Sequence, residues 1–186
     1  VDEKRLMDST RAIAAWVRIS GSPDEAEAFD WIEGSCRLAG AEIRRYEPIL
    51  LLSIPISARL SLGGVEIPCI THSMSASTPT DGIEVRLDEW EGFTGGAAVI
   101  DSIATPAGML KAANRGALAC VFVADSEQPP EMTVSPVWGC PGLRELNALP
   151  GIPAVSLGRD GGRVLRTLMA SGVKSARLVT AVETAW

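Results

Sequence analysis

The chain holds a single histidine, His72, in the run Thr71-His72-Ser73-Met74-Ser75, where an imidazole has serine hydroxyls one and three residues away. A serine beside a histidine is a nucleophile with its base only if tertiary structure brings the pair together and a third group orients the ring. No G-x-S-x-G elbow occurs anywhere. The surrounding stretch, THSMSASTPTDG (71–82), has the composition of an exposed loop, so His72 is expected to be a solvated side chain. His72, Ser73 and Ser75 are accordingly carried forward as candidates for substrate or interdomain contact, without a catalytic role. A catalytic zinc takes three protein ligands. One histidine, with no H-x-D, no H-E-x-x-H and no clustered cysteines, does not supply them, so no metal-ligating and no catalytic residue is assigned.

Two acidic groups, Asp24-Glu25-x-Glu27 and Asp88-Glu89-x-Glu91, could in principle work as paired carboxylates. The first follows Ser22-Pro23, and negative charge in a first helical turn complements the helix dipole. For phosphate, a dinucleotide site needs G-x-G-x-x-G between strand and helix. The turn Asp101–Thr105 contains no glycine, Pro106 removes an amide, and G-x-x-x-x-G-K-[ST] is absent. GRDGGR (158–163) is glycine-rich at a helix start and reads as a loose turn with at most weak anion affinity. Cys36, Cys69, Cys120 and Cys140 include no C-x-x-C pair, which removes the zinc-finger and thioredoxin readings. A Cys69–Cys140 disulfide between two proline-flanked loops is the alternative to the preferred reading of four reduced thiols.

The elements that would carry these residues follow from periodicity. Residues 3–19 read as a helix with Leu6, Ile13, Trp16 and Val17 near one face. Ser22, Pro23 and Glu25 form a capping-box signature for a second helix bearing Phe29, Ile32 and Cys36, which Gly40 ends. ISARLSLGGVEIPCI is a hairpin signal around Gly63-Gly64, and IEVRLDEW alternates like a half-buried strand. Residues 95–125 read as strand, helix, strand, with Ala97–Ile100 and Leu118–Val123 as interior strands and Met109, Leu110 and Ala113 on the helix's apolar side. Residues 126–150 are irregular and contain Trp138 between Pro136 and Pro141, an interdomain or peptide contact if it is not a loop anchor. A second strand (151–157) leads to a helix striped by Val164, Leu165, Leu168 and Met169, then to a closing strand (174–183). A boundary is drawn near residue 50, dividing a helical segment (1–50) from a β-rich body (51–186).

With 186 residues, 46% hydrophobic and 22% charged, the chain suits one domain or one domain with an appendage and should bury a sizeable core. A net charge of −6 speaks against nucleic acid, which requires clustered Lys and Arg. Apolar runs of about eight residues are far short of the roughly twenty a bilayer needs. Val1 is not followed by a signal-peptide pattern. An upstream segment missing from this sequence would leave the compartment unread.

Residues 19–48, ISGSPDEAEAFDWIEGSCRLAGAEIRRYEP, resemble the opening of metallopeptidase family 28, the di-zinc aminopeptidases. STPTDG, GGAAVIDS with MLKAANRGALACVFVAD, and IPAVSLGRDGGRVLRTLMASG resemble the protease-associated (PA) domain inserted in many of its members. The resemblance covers about residues 5–183. It implies a mixed α and β fold: a swivelling β/β/α PA-type domain preceded by an N-terminal helical pair. It also implies a non-catalytic lid or contact surface, with zinc and the catalytic His, Asp and Glu residues in a C-terminal catalytic domain that this chain lacks. The partners expected are therefore that domain, its peptide substrate, and a second copy of the chain through the N-terminal helices. A stand-alone protein- or peptide-interaction module is the alternative.

Overall fold

The structure is a computed structural model that describes residues 2–137 and 141–186. The chain divides into two compact units, one ending at Leu52 and one running from Ser53 to Trp186.

The first unit is a pair of helices followed by a stretch without regular structure. Helix α1 (Glu3–Ala14) is capped by Asp2, whose carboxylate accepts the Arg5 N–H at 3.1 Å. The helix stops earlier than periodicity suggests, leaving Trp16 and Val17 outside it. The Val17 N–H is taken by the Asp24 carboxylate (3.0 Å) and the Arg18 guanidinium claims the carbonyls of Ile13 and Trp16, so the Val17-to-Ile13 rung that would extend the ladder is not made. Helix α2 (Pro23–Leu38) begins as its capping signature demands. The Ser22 hydroxyl accepts the Glu25 N–H at 3.2 Å, and the Glu25 carboxylate reaches back to the Gly21 N–H at 2.7 Å. At its end Gly40, with φ +84°, allows Ala41 N–H to reach the Cys36 carbonyl and Gly40 N–H the Arg37 carbonyl, a Schellman closure.

The second unit is built on one eight-stranded mixed sheet, so the mixed α and β class holds. Its strands are β1 (Leu52–Leu62), β2 (Val65–Ile67), β3 (Ile70–Thr71), β4 (Ile83–Glu89), β5 (Gly96–Ile100), β6 (Ala117–Val123), β7 (Ala154–Leu157) and β8 (Ser175–Ala185), in the order β2-β1-β8-β4-β5-β6-β7-β3. β4, β5, β6 and β7 run parallel, while β8 lies antiparallel to β4 and β3 antiparallel to β7. The Gly63-Gly64 hairpin joins β1 to β2, with Leu60 opposite Ile67 and Leu62 opposite Val65. Helix α3 (Pro106–Asn114) crosses from β5 to β6 and helix α4 (Arg159–Ala170) follows β7.

Alternate residues of the central strands feed two cores. Ala97, Val99, Val121, Val155 and Leu157 join Leu60, Leu62 and Ile67 of the hairpin and Leu165 of α4. Ala98, Cys120, Phe122 and Ala154 instead meet Met109 and Ala112 of α3, with Ala104 and Val134. Helix α3 thus turns Met109 and Ala112 inward and leaves Leu110 partly in solvent. Leu118, expected inside, is 60% exposed: it is the residue skipped where the β5–β6 register shifts, Gly96 pairing with Ala117 and Ala97 with Ala119. Val164 likewise falls on the outer side of α4.

Candidate functional site

The histidine stretch is not an exposed loop. His72 is completely buried and Ser75 nearly so, Ser73 is half-buried, and the chain reaches open solvent only from about Ser77. Thr71 closes β3, which pairs with β7, so the segment leaves from a sheet edge. The His72 Nε2 lies 2.7 Å from the Ser156 hydroxyl on β7, a partner 84 residues away. Ser73 and Ser75, the hydroxyls close in sequence, do not meet the imidazole. Ser73 pairs through its backbone, its carbonyl accepting the Val134 N–H at 3.0 Å. The Ser75 hydroxyl accepts the Ala154 N–H at 2.8 Å. Trp138 and Cys140 lie outside the described residues.

A buried Ser–His contact invites comparison with an acyl-transfer pair, and the geometry argues against that use. The remaining ring nitrogen, Nδ1, is buried without a hydrogen-bond partner, so nothing orients the imidazole as a base. Ser156 is itself wholly buried, in the middle of a strand. Burial also depresses the imidazole pKa from its usual value to about 4, keeping the ring neutral. The sequence did carry a signal for this pair: Ser156 interrupts the apolar run IPAVSL, and a hydroxyl inside a buried strand must find a partner.

The acidic groups are occupied by structural tasks. Asp24 holds Val17 N–H, Glu25 holds Gly21 N–H, and Glu27 accepts the Trp16 indole N–H at 3.0 Å. Burial works against charge on Asp88, yet hydrogen bonds from Arg86 and from the Thr94 backbone and hydroxyl outweigh it and hold the carboxyl below the usual range. Glu89 and Asp101 share Arg166. Arg115 lies over the rings of both Trp90 and Phe93, with centroid distances of 4.2 and 5.3 Å, and donates to the Trp90 carbonyl.

Neither turn that leads into a helix cradles a phosphate. Before α3, the Thr105 hydroxyl accepts the Gly108 N–H at 3.1 Å, and Pro106 has no N–H to offer. In GRDGGR the glycines serve close packing. A Cβ on Gly158 would fall 2.1 Å from the Glu127 carbonyl oxygen, and one on Gly162 would fall 2.3 Å from Val123 Cγ1. The Arg159 N–H at the helix start is already donated to the Ser126 carbonyl at 2.8 Å. Cys36, Cys69 and Cys120 are free thiols, and burial pushes the thiol pKa of Cys69 and of Cys120 up to about 12.

Among the described residues no three His, Cys, Asp or Glu side chains come together so as to hold a metal ion. No helix among them is long and apolar enough to cross a membrane.

No protein-family model matches the chain, and no curated protein matches it either. Its fold does match solved structures. An aminopeptidase from an Aneurinibacillus species superposes with a TM-score of 0.63 at 15% identity, over 99% of this chain and 45% of that one. A peptidase M28 precursor from Shewanella amazonensis gives 0.61 at 16% identity, over 96% and 47%. A zinc aminopeptidase from Bacillus subtilis gives 0.58 at 21% identity, over 90% and 39%. The chain therefore spans less than half the length of each of these proteins.

Proposed function

We propose that this chain is the non-catalytic, access-shaping part of a zinc aminopeptidase-like protein: a PA-type domain (51–186) preceded by a helical pair (1–50). The observation that carries the reading is the shared fold, which takes in nearly all of this chain and less than half of each of those peptidases. A second feature agrees with it. Ser53, at the start of β1, is bonded to Met74, and Val182, near the end of β8, is bonded to Ser77 three residues further on. The first and last strands of the β unit thus begin and end close together, as in a domain inserted into a host.

The described residues do not fit a zinc ion: His72 is enclosed against Ser156, and no three His, Cys, Asp or Glu side chains among them gather to hold a metal. Zinc and the bond-breaking groups belong, in this reading, to another part of the protein. What this chain contributes is surface. Leu6, Val17, Phe29, Leu38 and Ile49 are all at least half exposed, and a catalytic domain, or a second copy in its absence, would cover them. Ser77–Thr80 is the stretch offered to peptide, and Trp138 is proposed as a second contact from its sequence alone.

The purified chain is expected to release no product from aminoacyl-p-nitroanilides, with or without zinc, and to retain no zinc after dialysis. Its reading frame is expected to run on for roughly 200 residues, the size of a further domain, with a His-x-Asp motif. Stoichiometric zinc that survives dialysis would sink the non-catalytic part of the proposal. A reading frame that closes without such a motif would favour the interaction-module alternative.

A further inference from the structure

Seven polar side chains are buried among the described residues, and all but Ser135 serve one segment, residues 71–78. On β7, the Thr71 hydroxyl donates to the Ala154 carbonyl (2.9 Å), Ser75 accepts the Ala154 N–H, and His72 meets Ser156. On β1, the Ser53 hydroxyl accepts the Met74 N–H at 2.7 Å. On β8, the Thr180 hydroxyl donates to the Ala76 carbonyl, Thr78 and Thr180 exchange further bonds, and the Ser77 hydroxyl both donates to and accepts from the Val182 backbone. The segment crosses from one half of the sheet to the other, held by these side-chain bonds together with three backbone bonds, Ala76 N–H to the Ile152 carbonyl, Thr78 N–H to the Thr180 carbonyl and Val134 N–H to the Ser73 carbonyl.

Two features set this clasp against itself. Met74 is the one non-glycine among the described residues with positive φ, at +64°. It is the third residue of a tight turn closed by Ser75 N–H to the His72 carbonyl, a place glycine fills without strain. The other is the buried, unpartnered Nδ1 of His72.

We infer that residues 71–78 form a releasable strap whose closed state requires a neutral His72, so that protonating the ring frees the strap from β1, β7 and β8 while the sheet stays folded. A proton on both ring nitrogens would place an N–H, and a charge, where the structure has no acceptor. Among the described residues no charged group relieves this, burial alone acting on the ring. The facing partner on β7 is a hydroxyl, and its register neighbours are Phe122 on β6 and Ile70 on β3. Residues 132–137 contribute no ionisable side chain, and the Cys120 thiol on the same face of β6 is held neutral by burial. Release uncovers backbone groups of Ile152, Ala154, Thr180 and Val182 that are now bonded to the strap.

Amide hydrogen exchange on the whole chain from pH 7.5 to pH 4.5, corrected for intrinsic rates, tests this. Met74, Ala76, Thr78, Thr180 and Val182 are expected to accelerate by more than about tenfold on acidification, with Val99 and Val121 unchanged. In H72Q, a neutral amide in place of the imidazole, that dependence is expected to vanish. M74G is expected to slow strap exchange by about tenfold at every pH through relief of turn strain, which keeps the proposal testable if H72Q fails to fold. Strap rates flat with pH would overturn it, as would strap and core amides accelerating together.

Discussion

A buried imidazole bonded to a single hydroxyl makes His72 a group whose proton affinity depends on folding. Its pKa falls to about 4 in the folded chain from an ordinary value near 6.5. Between those values the unfolded chain binds the extra proton and the folded chain with its strap closed does not, so the stability of that closed state rises with pH across the window and is lost as pH falls through it. The contribution is on the order of 3 kcal/mol at neutral pH relative to pH 4. Chemical denaturation at a series of pH values should show that loss in the wild type and a clearly flatter profile in His72→Gln. Asp88 acts in the same direction at lower pH: its depressed pKa stabilises the fold above the ordinary carboxylate range, and this is lost as its own proton binds. Two profiles of equal slope would show that His72 is not the group responsible.

Single elements translate backbone fit into stability, and two glycines show opposite signs. Gly34 lies inside α2 with open space where a Cβ would go, so Gly34→Ala should stabilise the helix by about 1 kcal/mol through propensity alone. At Gly162 the same methyl would strike Val123 Cγ1. Val123 is β-branched and packed in the core, so it gives way poorly, and Gly162→Ala should cost about 1–3 kcal/mol despite the propensity gain. Circular dichroism melts of both variants decide the matter, and equal shifts would refute the packing argument. In β5, Val99 sits 1% exposed between β4 and β6. Val99→Asp should leave the second unit unfolded at room temperature, since a buried unpaired carboxylate costs several kcal/mol, comparable to a domain's whole stability. Lys111→Ala, which removes only an exposed cation over the Trp90 ring, should shift the melt little. These elements were legible because they are local: the cap at Ser22, the hairpin at Gly63-Gly64 and the turn before α3 all depend on neighbours within four residues. The 71–82 stretch was misread for the opposite reason. Its polarity matches a solvated loop, and what buries it are Ser156, Thr180 and Val182, which no local pattern connects to it.

The molecule as a whole distributes its burial unevenly. Among its described apolar side chains the first unit buries only Ala28 and Leu51, while the second has two cores of its own. Light scattering across a concentration series should therefore show self-association that Phe29→Glu and Leu38→Glu reduce, since both side chains stand on the exposed surface of the first unit. A strict monomer at all concentrations would contradict it. The strap carries one more consequence, for the order in which the second unit is made. β5, α3 and β6 are consecutive in the chain, whereas Ser77 and Thr78 meet β8 across 102 to 105 residues. Loop closure must be completed before such contacts repay anything, so the β5-α3-β6 region forms early and the strap closes last. Ser77→Ala should then speed unfolding and leave the folding rate nearly unchanged, whereas Val121→Ala should slow folding. A chain caught between those two moments has its sheet assembled and its clasp still open.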